Sequence, residues 1–140
     1  MILLDTNVLS EFMRPRPAPQ VVAWLNAQNP EGLWISAVTR AEIELGLALM
    51  PPGRRREGLR QAAVAMFSED FAGRCLPFDE VAAVHYAIIV AKRTRAGRPI
   101  TVEDAQIAAI ALAHRMRLAT RNTADFELIE DLERVDPWQA

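Results

Sequence analysis

The sequence predicts an α/β fold, a three-layer α/β/α sandwich around a central, mainly parallel sheet. Three observations predict it. Short apolar runs of strand length alternate with longer segments of helical periodicity. The segments between strands are long enough for crossover connections, which parallel strands require. No repeat or low-complexity stretch interrupts the alternation. The 140 residues fit one domain, residues 1–140, and a domain of this size buries roughly 70% of the surface its unfolded chain exposes.

Met1 to Leu4 is an apolar strand that stops at Asp5-Thr6-Asn7. Val8 to Phe12 reads as a short helix, ended by Arg14-Pro15-Arg16-Pro17. Pro19 to Asn29 has apolar residues at 21, 24 and 25 and a helix stop at Asn29-Pro30. Leu33 to Ser36 is a second strand, and Thr39 to Met50 a helix stopped by Pro51-Pro52-Gly53. In the next helix, 54–67, Leu59, Ala62, Ala63, Met66 and Phe67 share a face. Arg74 to Phe78 gives a third strand, and Asp79 to Arg95 a long helix with Val81, Val84, Ile88 and Ile89 on its apolar side. After Gly97-Arg98-Pro99, Val102 to Met116 forms another helix; Leu118 to Thr120 and Arg134-Val135 are the remaining strands.

The composition, 51% hydrophobic and 24% charged, is that of a globular chain. A net charge of −2 supplies no global positive field for nucleic acid. Cys75, the single cysteine, cannot pair within the chain, and its place beside Leu76 predicts a buried, inert thiol. Asp5 interrupts the first apolar run and no basic stretch precedes it, so no signal peptide is expected. No apolar stretch is long enough to span a membrane, and the expected compartment is the cytosol.

Four acids carry the chemistry: Asp5, Glu42, Asp104 and Asp125. Each follows a strand, directly or at the start of the next helix, where open α/β sheets bind their ligands. Capping is the alternative for two of them. Thr39-Arg-Ala-Glu42 and Thr101-Val-Glu-Asp104 match the capping box, and acids in a first turn suit the helix dipole. Taken singly, capping is the better account of Glu42, and the two readings weigh equally for Asp104. The helix faces shift that balance. Asp104 heads the row Ile107, Ala108, Ala111, and Glu42 heads Leu45, Gly46, Leu49, so both acids are expected on buried sides. Converging carboxylates without basic partners repel one another. A hard divalent cation, Mg²⁺ or Mn²⁺, relieves that repulsion through oxygen ligands.

Four segments, in order, carry a resemblance: Met1-Ile-Leu-Leu-Asp-Thr-Asn-Val-Leu-Ser-Glu11, Ser36-Ala-Val-Thr-Arg-Ala-Glu-Ile-Glu-Leu-Gly46, Asp104-Ala-Gln-Ile-Ala-Ala109 and Ala119-Thr-Arg-Asn-Thr-Ala-Asp-Phe126. Over nearly its whole length the chain resembles the PIN domain. More narrowly it is similar to VapC-type toxins of bacterial toxin–antitoxin pairs, including the FitB branch. The resemblance implies an Mg²⁺- or Mn²⁺-dependent endoribonuclease with an α/β/α fold, acting on structured RNA, tRNA or rRNA. It implies a homodimer silenced by a cognate VapB-like antitoxin whose tail occludes the acidic pocket, with operator DNA reached only through the antitoxin. Asp5, Glu42 and Asp104 match the family's first three acids. Its fourth falls at Asp125 or at the position of Asn122; Asp125 is the preferred match, with Asn122 as a neutral ligand or water-orienting group.

A carboxylate-held metal lowers the pKa of its water and neutralises charge on a phosphate in displacement. Asp5 and Asp104 are the expected direct ligands, with Glu42 and Asp125 completing the set. Thr6, Asn7, Ser36 and Thr120 are candidates to orient carboxylates or waters; ordinary capping is the alternative for each and the safer one for Thr6. Arg54, Arg55 and Arg56 with Arg60 form a solvated helix face or a phosphate-contact patch, and Arg14, Arg16 and Arg121 stand near the acidic motifs. His85, Trp24 and Trp34 read as packing or interface residues, His114 as a helix-end cation, and Trp138 as a tail anchor or partner contact. Two rival readings are a catalytically weak PIN-fold binding subunit acting with a DNA-binding partner in operon autoregulation, and a DNA-flap nuclease. The chain's short length counts against the second.

Overall fold

Ile2–Leu4 forms strand β1 in the middle of the sheet, buried on both faces. Ile2 and Leu4 point into one core and Leu3 into the other, the alternation a pleated strand imposes. In this computed structural model, which describes residues 1–140, β1 pairs with β2 (Leu33–Ser36) on one side and β4 (Arg117–Ala119) on the other. β3 (Cys75–Leu76) and β5 (Arg134–Val135) are the edges. The order is β3-β2-β1-β4-β5, with every pair parallel.

Helices α1 (Thr6–Met13), α2 (Pro19–Asn26), α3 (Ala37–Leu49) and α4 (Arg54–Ala65) occur on the crossovers among the first three strands. Their apolar residues Val8, Val21, Ile43, Leu47 and Ala63 join Ile2, Leu4 and Ile35 in one core. α5 (Glu80–Arg95) and α6 (Val102–Ala113) pack together and build the other with Leu3 and Leu118. The three-layer sandwich is therefore as expected, and its sheet is wholly parallel.

The differences lie at element ends. Ser36, not Thr39, caps α3, its hydroxyl accepting from Thr39 N at 3.0 Å; the helix starts at Ala37 and the expected Thr39–Glu42 capping box does not form. α1 begins at Thr6 because Asp5 is its N-cap. α2 stops at Asn26, and Pro30–Gly32 is a separate 3-10 turn. α4 passes into a π-helical turn, Met66–Asp70. α6 ends at Ala113, where Arg115 takes φ 54° and Met116 N reaches Ala111 O, a Schellman closure.

Two burial expectations are overturned. Cys75 is exposed because its two-residue strand lies at the sheet's edge. On α3 the buried row is Thr39, Ile43, Leu47, whereas Leu45 and Leu49, on the row Glu42 was expected to head, are 59% and 76% exposed. Glu42 stands half-buried at the border between these rows. The row below Asp104 (Ile107, Ala108, Ala111) is buried as expected. Val81, Val84 and Ile88 on α5 are exposed, leaving that helix an uncovered apolar row.

Candidate active site

Chain direction across the sheet reverses at β1: β2 and β3 lie to one side, β4 and β5 to the other. The carboxyl ends of β1 and β4 thus frame a topological switch point, where doubly wound sheets open a crevice. Asp5 and Thr120 sit there, one residue beyond each strand. Asp5 N donates to Ala119 O at 2.9 Å, which continues the ladder and fixes the acid's backbone. Its Oδ1 accepts from Thr6 N at 2.8 Å and its Oδ2 from the Thr120 hydroxyl at 2.8 Å. Thr120 Oγ1 also accepts from Asn122 N at 3.1 Å and Asn7 Nδ2 at 3.4 Å. Asn7 Oδ1 in turn accepts from Arg121 N at 3.3 Å. Thr120 and Asn7 therefore orient the first acid, directly and through one relay.

Glu42 enters from α3. Its Oε1 accepts from the Thr6 hydroxyl at 2.7 Å, and that hydroxyl lies 3.0 Å from Thr39 Oγ1. Thr6 thus holds a carboxylate, against the capping role expected of it, while Ser36, wholly buried, is the cap. Thr39 was missed as a supporting residue. Its signal was its position three residues after Ser36 and three before Glu42, which puts it on the inward side of that helix.

Asp104 sits in the first turn of α6, where Thr101 Oγ1 caps its backbone N at 3.2 Å. Asp125 is exposed on the 3-10 turn Thr123–Phe126, its N bonded to Asn122 O at 3.0 Å. Electrostatics links these positions. Burial lifts the Asp5 carboxyl from 3.8 to about 6; the Thr120 hydroxyl and Thr6 N–H pull it back, and the charges of Asp104 and Glu42 push it up again. Burial also raises Asp104, eased by the Thr101 hydroxyl and reinforced by Asp125, Glu42 and Glu103. Asp125 is thus near enough for its charge to bear on Asp104.

None of the four acids belongs to an ion pair; the pairs present join Glu11, Glu44, Glu127 and Glu130 to arginines or a lysine. Their side chains do not close into a group of three or more disposed to hold an ion. The donor set nevertheless suits a hard divalent cation: all oxygen, anionic, partly dehydrated and without a resident counter-charge.

A groove of about 1120 Å³ runs from Thr6, Asn7 and Glu42 between α1, α3 and α4, past Leu47, Leu59 and Trp138. Arg14, Arg54, Arg55 and Arg121 line it; Arg16 does not. Arg121 lies 4.9 Å over the Trp138 ring, so Trp138 anchors an arginine as well as the tail. Glu11, also unremarked in the sequence, is buried and ties the end of α1 to Ala18 N at 2.9 Å and Arg14 at 3.3 Å. No helix is long and apolar enough to cross a membrane.

Residues 2–132 match the PIN domain. The VapC ribonuclease Y4jK of Sinorhizobium fredii is 42% identical over 99% of both chains. The toxin FitB of Neisseria gonorrhoeae is 43% identical, again over 99% of both. The solved structure of FitAB bound to an IR36 DNA fragment superposes with a TM-score of 0.89 at 43% identity, covering 99% of this chain and 96% of that one.

Proposed function

The chain belongs to the PIN-domain family, in the branch that includes VapC and FitB, and from that premise we propose that it is the toxin of a toxin–antitoxin pair, a divalent-metal-dependent endoribonuclease. The observation that carries the reading is Asp5: a buried carboxylate at the sheet's switch point, its pKa near 6, facing two further acids and no cation. Asp5 and Asp104 would hold Mg²⁺ or Mn²⁺, with Glu42 and Asp125 bonding it directly or through water. When bound, the metal supplies an acidified water and charge neutralisation at the phosphate. The chain's own groups do the rest. Thr120 and Thr6 N–H hold Asp5 ionised against its burial, Thr6 aims Glu42, and Asn7 braces the Thr120 hydroxyl. Arg14, Arg54, Arg55 and Arg121 place the RNA backbone along the groove, phosphate contacts being the part of such binding that responds to salt.

The same groove is the place we assign to a segment of the cognate VapB-like antitoxin, its acidic end suited to a basic side chain. Operator DNA is then bound through the antitoxin. The uncovered row Val81, Val84, Ile88 supports a homodimer, and the expected site of action is the cytoplasm.

Purified, partner-free protein incubated with total RNA tests this reading. We expect discrete fragments with Mn²⁺ or Mg²⁺ and none with a chelator, and end-mapping identifies the RNA cut. Folded protein that binds metal but leaves RNA intact would shift the account to a binding subunit.

A further inference from the structure

Arg93, in the last turn of α5, is 5% exposed and forms no ion pair. Its side chain instead donates to four backbone carbonyls. Nε reaches Arg98 O at 2.6 Å and Nη2 reaches Pro99 O at 3.3 Å. Nη1 is shared between Asp125 O and Glu127 O, each at 2.9 Å. The four carbonyls belong to two segments distant in sequence. Arg98 and Pro99 lead into Thr101, the cap of α6 that holds Asp104 N; Asp125 and Glu127 belong to the turn that carries the fourth acid.

A buried guanidinium without a counter-ion is costly, and an apolar residue of similar volume would usually pack there more favourably. The planar fork explains its use: one rigid group bonds several fixed acceptors at once, which a lysine ammonium cannot match. Neutralisation does not explain it, because Arg93 is not among the groups that shift Asp5 or Asp104. An exposed pair, Arg98–Glu127 at 3.0 Å, crosses the same seam and adds little.

We propose that Arg93 is a positioning residue for RNA cleavage: by bridging residues 98–99 to residues 125–127 it sets the separation of the Asp104 and Asp125 carboxylates. The proposal rests on the reading that these two acids serve the catalytic metal. A merely structural arginine would lower global stability and leave kcat of the folded enzyme intact.

The test uses the full chain as Arg93→Lys and Arg93→Met, with exposed Arg95→Met as control. Two readouts are needed: kcat and KM on one RNA with Mn²⁺, and amide hydrogen exchange of the metal-free protein. For whichever Arg93 variant folds, kcat should fall at least about tenfold with KM within about threefold. Exchange at Asp125 and Glu127 should accelerate about tenfold or more while the β1 amides stay protected. Arg95→Met should match wild type in both. Wild-type kcat in a folded Arg93 variant, or unchanged exchange at Asp125 and Glu127, overturns the proposal. Wild-type protein that cleaves no RNA would instead refute the functional reading, and the exchange pattern would then decide alone whether Arg93 holds the turn.

Discussion

Asp5→Asn is expected to lower kcat for RNA cleavage by roughly 10³-fold or more while the protein stays folded, because it removes one metal-binding charge and little else. Asparagine keeps the shape and an oxygen that can accept from Thr6 N, as Asp5 Oδ1 does at 2.8 Å. The Thr120 hydroxyl, which now donates to Asp5 Oδ2, can turn to accept from the new amide in place of the long 3.4 Å bond from Asn7 Nδ2. Single-turnover kinetics with excess enzyme would isolate the chemical step. Activity within about tenfold of wild type would remove Asp5 from the mechanism.

The metal-free protein is expected to lose stability as pH rises from about 4 to 7. The folded Asp5 pKa, about 6, lies above its ordinary value of 3.8, so the native state holds this proton more tightly than the unfolded chain. The resulting stabilisation is full below pH 3.8 and disappears as pH rises through 6. At about 1.4 kcal/mol for each pH unit of difference, the loss is at most about 3 kcal/mol. Asp104, raised in the same sense, adds to the slope. Urea midpoints across this range should fall for wild type and stay flatter for Asp5→Asn, making the variant the more stable protein at pH 7. Parallel curves would show that Asp5 is not strained by ionisation.

The expected loss of activity and gain of stability at one position follow from where β1 ends. That feature was legible in the chain: four apolar residues broken by Asp5 specify a buried strand with an acid at its mouth. Apolar runs and helical spacing likewise gave the alternating order of strands and helices. Side-chain partners were less legible. Thr39 and Ser36 both suit a cap, and only the distance to Thr6 and Glu42 separates their roles. The buried row on α3 was misjudged because leucines at 45 and 49 signal burial equally well on either side of a helix. Cys75 was placed inside because strand propensity does not distinguish an edge from a centre. Arg93 could not have been found: a guanidinium satisfied by four carbonyls leaves no pattern in neighbouring residues, since every residue type supplies the acceptor.

Calorimetric titration of Mn²⁺ into the metal-free protein at pH 7, beside Asp5→Asn and Asp104→Asn, tests the central claim most directly. Wild type should bind saturably, and each variant should lose at least about tenfold in affinity. Repeating the titration at pH 6 should add proton release, because about half of the Asp5 carboxyls, with a pKa of about 6, must then ionise to bind. Equal binding by all three proteins, or none by wild type, would contradict the claim.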